Sequence, residues 1–301
     1  MDKGERDWVD AFARSTQFSR RGFAASGLVT GFTLCTGPLN AATIITDAKG
    51  LTAGEVRVPV FDSPDAAGRM MPAYRAKPEG KSNVPLVLVV QEIFGVHEHI
   101  RDICRRLAKL GYYAIAPSLY FRHGDPGKYD MSTAQQLMTD IVSKVPDSDV
   151  MSDLDSAAQF AARDGADPKR LGITGFCWGG RIVWLYAAHN PNLKAGVAWY
   201  GPLRGPRPPN PLRPKYPLDL ANEINAPVLG LYGGQDQGIK AADVEQMKAA
   251  LAKAGKVKSK LEVFTDAAHG FFADYRPSYN EKDARQGWSE LLAWYRKYGV
   301  A

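Results

Sequence analysis

The chain has 301 residues, 45% of them hydrophobic, and a formal net charge of +6, which suits one large α/β domain preceded by an N-terminal extension. The positive charge is spread along the chain without a Lys/Arg-rich block interleaved with aromatic residues, so nucleic-acid binding is not predicted. Three scattered cysteines (35, 104 and 177) fit neither a disulfide framework nor zinc-ligand pairs, and no run after residue 50 approaches the roughly 20 apolar residues of a membrane span.

Residues 1–50 are the predicted N-terminal extension. The segment Ser19–Phe23 contains Arg20 and Arg21, and a mildly apolar stretch follows it, ending in small residues up to Ala42. This pattern resembles a twin-arginine export signal, which would make the protein periplasmic or secreted. Acidic residues in the leader favour the alternative, a cytoplasmic protein that keeps an amphipathic N-terminal helix.

Strands and helices alternate over residues 51–301, which are predicted to form a single domain. Val56, Val58 and Val60 alternate with other residues, and a second short strand over Arg69–Ala76 completes an antiparallel hairpin. The aliphatic run Pro85–Val90 is typical of a parallel strand buried on both faces. Further strands are predicted over 112–116, 171–176, 195–200, 227–232 and 261–264. Helices are predicted over 100–110, twice within 132–165, and over 182–189, 240–254 and 280–298.

Two loops interrupt this alternation. Residues 117–130 follow a strand end and contain Tyr120 and Arg122, and ligands bind beside such loops in open α/β sheets. The proline-dense stretch Gly201–Pro217 cannot be a regular helix or a central strand, so it is predicted to be a lid or rim loop. The fold class is therefore predicted to be α/β, with a mostly parallel central sheet and helices on both faces.

The run Gly175–Gly180 has the pattern Gly-x-Cys-x-Gly-Gly at the end of an apolar strand. With serine in place of cysteine, this is the nucleophile elbow, a strained strand-to-helix turn that exposes a reactive side chain and needs small neighbours. A thiol at Cys177 would lie at the start of the next helix, where the helix dipole favours thiolate. Taken alone, the pattern fits a buried, inert cysteine equally well.

Two residues at later strand ends favour the catalytic interpretation. Asp236 and His269 each follow a predicted strand, so the chain order is nucleophile, acid, histidine, as in the α/β-hydrolase fold. His269 would take the thiol proton, and Asp236 would orient the imidazole. A turn aspartate and a surface histidine are ordinary alternatives for each residue alone, but their joint occurrence in this order favours a catalytic triad.

His97 and His99 could suggest a metal ion. Side chains at positions i and i+2 point to different faces of a helix, however, and no third ligand is evident. Neither a metal ion nor another cofactor is predicted.

Four motifs resemble those of the dienelactone hydrolase family, the carboxymethylenebutenolidases, and the similarity covers roughly residues 54 to 298. The motifs are Gln-Glu-Ile-Phe-Gly at 91–95, Gly-Phe-Cys-Trp-Gly-Gly at 175–180, Gly-Gly-Gln-Asp at 233–236 and His-Gly-Phe at 269–271. The resemblance implies an α/β-hydrolase fold and a hydrolase that needs no cofactor.

The resemblance also implies roles for individual residues. The glutamate at the position of Glu92 holds the resting cysteine, and substrate binding redirects it so that the histidine can generate the thiolate. The backbone N–H groups of Ile93 and Trp178 would form the oxyanion hole. The family's match to Leu-Tyr-x-Arg makes Arg122 a candidate for binding a substrate carboxylate.

The chain departs from the family pattern four residues after the histidine. The family has a second carboxylate-binding arginine there, whereas this chain has Ala273, and the nearest arginine is Arg276. Arg276, Tyr120 and Tyr200 are added to Arg122 as candidate substrate-binding residues.

The leading functional hypothesis is a hydrolase that opens lactones or esters through a Cys177 acyl-enzyme, with dienelactone as the substrate that the resemblance implies. A general carboxylesterase or thioesterase is the alternative among enzymes. A non-catalytic binding protein or thiol sensor with the same fold is the alternative of another class, and it would not need Asp236 and His269. The protein is expected to act on a small molecule as a monomer without stable membrane insertion.

Overall fold

The structure is a computed structural model that describes residues 44–60, 69–205 and 210–301. The twin-arginine motif, Cys35 and the predicted cleavage region up to Ala42 lie outside these residues. The strands of the described part are β1 (Leu51–Pro59), β2 (Met70–Pro78), β3 (Val84–Val90), β4 (Tyr113–Pro117), β5 (Ala166–Phe176), β6 (Ala195–Trp199), β7 (Val228–Gly233) and β8 (Lys260–Phe264). The α-helices are α1 (Glu98–Lys109), α2 (Ala134–Asp140), α3 (Asp147–Arg163), α4 (Trp178–His189), α5 (Ala241–Lys253) and α6 (Glu281–Lys297).

The strands form one 8-stranded sheet in the order β1-β2-β4-β3-β5-β6-β7-β8. β1 pairs antiparallel with β2, as the alternating valines predict, and β2 pairs antiparallel with β4. All other neighbours pair in parallel. The mostly parallel sheet predicted from the sequence is therefore confirmed.

The strand order places helices on both faces of the sheet. The connection from β3 to β4 through α1 runs toward one edge, whereas the steps from β5 through β8 run toward the other. Because such crossovers are right-handed, the two directions put their helices on opposite faces. β3 is accordingly an aliphatic strand whose last five residues are buried.

This reversal of direction lies between β3 and β5, which are adjacent in the sheet. Ligands of open α/β sheets bind at the carboxyl ends of the strands on either side of such a reversal. Residues 91–95 follow β3 there, and Cys177 follows β5. The topology therefore brings two of the sequence motifs to one edge of the sheet.

Residues 44–46 are bound to the domain, although the predicted N-terminal extension runs to residue 50. The backbone of Ile44 is hydrogen-bonded to Asp274, and that of Thr46 to Asp102.

The described part of the proline-dense stretch contains no α-helix and no strand of the sheet. It has a bridge between Asn210 and Arg213 and the beginning of a 3₁₀ turn at Pro217. No helix among the described residues is long and apolar enough to span a membrane.

Candidate active site

Cys177 occupies a strained turn between β5 and α4. Its φ of 53° and ψ of −115° are unusual for a residue with a side chain, and such strain persists where the surrounding structure holds the backbone in place. A Cβ atom at Gly175 would overlap the carbonyl oxygen of Gly179, and one at Gly179 would lie 2.5 Å from the carbonyl oxygen of Gln91. The two glycines are therefore required for the close approach of the elbow to β3.

Backbone hydrogen bonds fix the position of the thiol. The Cys177 N–H donates to the carbonyl of Trp199 on β6 (3.0 Å), and the Cys177 carbonyl accepts from the N–H of Gly180 (2.9 Å). Cys177 is partly exposed, whereas Cys104 is buried, and burial raises the pKa of the Cys104 thiol far above its usual range. Of the two cysteines in the described residues, only Cys177 is accessible to a substrate.

Asp236 and His269 follow β7 and β8, and their side chains meet. His269 Nδ1 lies 2.7 Å from Asp236 Oδ2. The other oxygen of the carboxylate, Oδ1, accepts from the N–H groups of Gly238 (2.8 Å) and Ile239 (3.0 Å). This arrangement fixes the carboxylate, and it favours the imidazole tautomer with its proton on Nδ1.

His269 is stabilised as an imidazolium. Burial disfavours the charged ring, but the hydrogen bond to Asp236, the interaction with Cys177 and the negative charge that both partners can carry outweigh burial, and they raise the pKa of His269 to about 10. The pKa of Asp236 is lowered: burial opposes the charge, and the hydrogen bond and the charge of His269 favour it. Thiol, imidazole and carboxylate can therefore share a proton as a thiolate–imidazolium–carboxylate array.

Glu92 is fully buried after β3 and belongs to a second charged cluster. Its Oε2 accepts a hydrogen bond from the hydroxyl of Tyr275 and lies 3.8 Å from His97 Nε2. Its Oε1 lies 3.2 Å from Arg276 Nη2. Burial would raise the pKa of Glu92, but the charge of Arg276 and the interaction with His97 outweigh burial and hold it far below its usual range. Glu92 is thus an anion paired with Arg276.

The N–H groups of Ile93 and Trp178 are expected to form the oxyanion hole. Ile93 follows Glu92 in the chain, and Trp178 follows Cys177. Trp178 is the first residue of α4, so its N–H has no partner within the helix. Ile93 follows Glu92 at the second position of a turn that the Gly95 N–H closes on the Glu92 carbonyl (3.4 Å). Neither N–H is used by the hydrogen bonds of its own turn or helix.

Arg122 has a partner that the sequence did not indicate. Its Nη1 lies 2.6 Å from Asp153 Oδ2, and its Nη2 lies 2.8 Å from Asp153 Oδ1. Asp153 is fully buried on α3. Both terminal nitrogens of Arg122 thus bind a carboxylate of the protein itself, and this geometry differs from the expected contact with a substrate carboxylate.

The other candidate substrate-binding residues surround the thiol. Tyr120 packs edge-on against Trp178, with ring centroids 5.1 Å apart, and Tyr200 packs edge-on against His269 at 5.2 Å. Tyr120, Tyr200 and Arg276 all interact electrostatically with Cys177. They form the wall of the site, together with the ring of Trp178.

This wall contains buried polar atoms without hydrogen-bond partners. They are the hydroxyl of Tyr200 and the indole nitrogen of Trp178. A buried polar atom without a partner is costly, so a polar substrate or water would gain by binding to these two atoms.

The residues considered for a metal ion lie in other contacts. His97 faces Glu92, and His99 Nδ1 lies 2.9 Å from Asp274 Oδ1. Within the part of the chain that the structure describes, no group of three or more His, Cys, Asp or Glu side chains could hold a metal ion.

Sequence reasoning missed Asp153, Asp274 and Tyr275. Asp274 and Tyr275 immediately precede Arg276, which was a candidate, so their position after the His-Gly-Phe motif was the available signal. Asp153 lies inside an amphipathic helix and carries no local signal of its pairing.

The chain matches a model of the dienelactone hydrolase family over residues 71–299. A protein of Methylorubrum extorquens named "Putative carboxymethylenebutenolidase" is 55% identical over 97% of each chain. A protein of Escherichia coli with the same name is 52% identical over 90% of this chain and 96% of its own. A crystal structure called "Putative Dienelactone Hydrolase", from Klebsiella pneumoniae, is 54% identical with a TM-score of 0.76, and the match covers 82% of this chain and 99% of that chain.

Proposed function

Because this chain belongs to the dienelactone hydrolase family and has an α/β-hydrolase fold, we propose that it hydrolyses lactones or other carboxylic esters through an acyl-enzyme on Cys177. Dienelactone is the substrate that the family implies. Family membership makes the chain a hydrolase and does not favour the non-catalytic alternatives. The observation that carries the mechanism is the hydrogen bond between His269 and Asp236 beside a thiol on a strained elbow.

The proposed reaction begins at the Cys177 sulfur. The thiolate, paired with the His269 imidazolium, attacks the ester carbonyl carbon and forms a tetrahedral intermediate. The N–H groups of Ile93 and Trp178 would stabilise its oxyanion. When the intermediate collapses, the C–O bond breaks, and the departing alkoxide takes the proton of His269.

The second half of the reaction releases the acyl group. His269, now neutral, takes a proton from a water molecule, which attacks the thioester carbonyl. The C–S bond then breaks, and the thiolate and the carboxylic acid product are formed. For a lactone, the alcohol and the acid belong to one molecule, so a single ring-opened hydroxy acid leaves.

The test is substrate turnover by the enzyme and its Cys177→Ala variant. kcat/KM would be measured for dienelactone, p-nitrophenyl esters and acyl thioesters, which also ranks the substrate classes. Cys177→Ala should lose at least about 1,000-fold of the ester hydrolysis, and mass spectrometry of the wild type after rapid quenching should show the acyl group on the peptide containing Cys177. Cys104→Ala is the matched control and should keep full activity. Full activity in Cys177→Ala would contradict the proposal.

A general carboxylesterase is the second candidate, and the pairing of Arg122 with Asp153 favours it. Asp153 already neutralises Arg122, the residue expected to bind a substrate carboxylate. An anionic substrate would therefore gain less from Arg122 than the family resemblance implies. A kcat/KM for neutral aryl esters above that for dienelactone would support this candidate.

A further inference from the structure

Tyr275 belongs to the charged cluster around Glu92. Its hydroxyl donates a hydrogen bond to Oε2 of the buried Glu92. The hydroxyl oxygen of Tyr275 accepts a hydrogen bond from Nε of Arg276 at 3.0 Å, while Arg276 Nη2 lies 3.2 Å from Glu92 Oε1. Glu92, Tyr275 and Arg276 thus form a closed ring of polar contacts on the carboxylate.

The ring of Tyr275 is itself held on two sides. It packs edge-on against His97, with centroids 5.0 Å apart and an interplanar angle of 76°, and at a tilt of 58° against His99, with centroids 5.3 Å apart. His99 is fixed by Asp274, which also accepts from Arg106 Nη2 at 2.7 Å. The Tyr275 hydroxyl therefore has a defined position from which it can hold a carboxylate.

The position of the Glu92 carboxylate affects how readily the Cys177 thiol loses its proton. A carboxylate beside a thiol disfavours the thiolate, because two negative charges repel each other. In the observed arrangement, Glu92 contacts Tyr275, Arg276 and His97, while His269 interacts with Cys177. His269 is therefore the group available to take the proton of the Cys177 thiol.

We propose that Tyr275 is a positioning residue that binds the Glu92 carboxylate on the side of Arg276 and keeps it from Cys177, so that His269 can hold the thiolate. This inference rests on the proposed function. Tyr275 acts through Glu92 and touches no reacting atom. Arg276 supplies the charge that attracts the carboxylate, and the Tyr275 hydroxyl supplies the directed hydrogen bond that holds Oε2.

The groups that face Glu92 come from three parts of the chain. His97 precedes α1, and His99 lies in its first turn. Tyr275 and Arg276 lie between β8 and α6, and Tyr200 follows β6 and interacts electrostatically with Glu92. Among the residues that the structure describes, only Tyr275 donates a hydrogen bond to Oε2 through a hydroxyl that phenylalanine would remove without changing the ring.

The experiment measures alkylation of Cys177 by iodoacetamide between pH 5 and 9 in the wild type and in Tyr275→Phe. Without the hydroxyl, Glu92 is free to turn toward the thiol, so the thiolate should form at a pH about one unit higher and alkylation at pH 7 should be about 10-fold slower. kcat for ester hydrolysis should fall by a similar factor with little change in KM. Tyr279→Phe, in the same loop but without a contact to Glu92 among the hydrogen bonds found, is the control and should match the wild type.

A second variant separates positioning from damage to the structure. Tyr275→Phe combined with Glu92→Gln removes the charge that Tyr275 is proposed to hold, so its alkylation profile should equal that of Glu92→Gln alone. A Tyr275→Phe profile that superimposes on the wild type, or a shift that persists in the double variant, would overturn the inference. Failure of the proposed function is distinct, since it would appear as ester hydrolysis that survives Cys177→Ala.

Discussion

Among single residues, His269 is stabilised in its charged imidazolium form by its neighbours. Burial disfavours the imidazolium, and the hydrogen bond to Asp236 and the interaction with Cys177 more than offset this, raising the pKa of His269 to about 10. The imidazolium is therefore present below that pH and is lost as the pH rises through it. Because the ring must donate a proton to the leaving alkoxide, the proposed activity depends on this charge.

Asp236→Asn should change both the rate and its pH dependence. Removing the negative partner lowers the pKa of His269, so the basic limb of the kcat/KM profile should move from near pH 10 to lower pH. kcat should fall by about 1,000-fold or more, because asparagine no longer fixes the productive tautomer. Hydrolysis of a p-nitrophenyl ester over pH 6 to 10.5 measures both effects, and a basic limb that stays in place would argue against the pairing of Asp236 with His269.

Arg122 should prove structural. Its guanidinium binds the fully buried Asp153 with both terminal nitrogens, so Arg122→Ala should destabilise the protein by about 3 kcal/mol, because it weakens the compensation of a buried carboxylate. The ratio of kcat/KM for anionic lactones to that for neutral esters should stay unchanged. Denaturant unfolding and the two substrate classes provide the measurements, with Asp153→Asn as the partner variant.

One result would contradict a structural role for Arg122. A selective loss of about 10-fold or more on anionic lactones, with unchanged stability, would restore the carboxylate-binding role that the family resemblance implies.

At the scale of secondary-structure elements, the elbow depends on how closely α4 approaches β3. A Cβ atom on Gly179 would lie 2.5 Å from the Gln91 carbonyl oxygen and 2.6 Å from that of Val90. These are backbone atoms at the end of a central strand, so they cannot yield without moving the strand. The thiol position is therefore coupled to the packing of a helix on a strand.

Gly179→Ala should destabilise the fold by about 3 kcal/mol and lower ester hydrolysis, because α4 must shift and carry Cys177 with it. Gly238→Ala is the control for stability, since the nearest atom to its Cβ is 3.4 Å away, an ordinary contact. Thermal unfolding would be measured for both variants, and kcat/KM for Gly179→Ala and the wild type. Equal unfolding temperatures would show that the elbow has more room than the structure indicates.

At the scale of the whole molecule, the segment Ile44–Thr46 belongs to the charged network behind the site. The Ile44 N–H donates to Asp274 Oδ2 (3.3 Å), and the Thr46 carbonyl accepts from Arg105 Nε (2.6 Å). Asp274 adjoins Tyr275 in the chain. The residues directly after the predicted leader are thus linked to the loop that carries Tyr275 and Arg276.

Truncation at two points tests this link. A chain that begins at Thr43 keeps the segment, whereas one that begins at Lys49 loses its hydrogen bonds to Asp274, Asp102 and Arg105. Each bond to a charged group contributes about 1.5 kcal/mol or more, so the shorter chain should unfold at a temperature lower by about 5 °C or more. Calorimetry would measure the difference. Equal unfolding temperatures would mean that the segment contributes nothing to the stability of the domain.

The order of strands and helices, the elbow at Cys177 and the pairing of Asp236 with His269 could be predicted from the residues alone. These features have local causes: the period of apolar residues along a strand or helix, and small residues at a strained turn. The pairing of Arg122 with Asp153, of Tyr275 with Glu92 and of Ile44 with Asp274 became evident in the folded chain. The last two pairs are 183 and 230 positions apart in the chain. A charged side chain takes the nearest partner that folding brings to it, and this choice depends on how elements distant in sequence pack together.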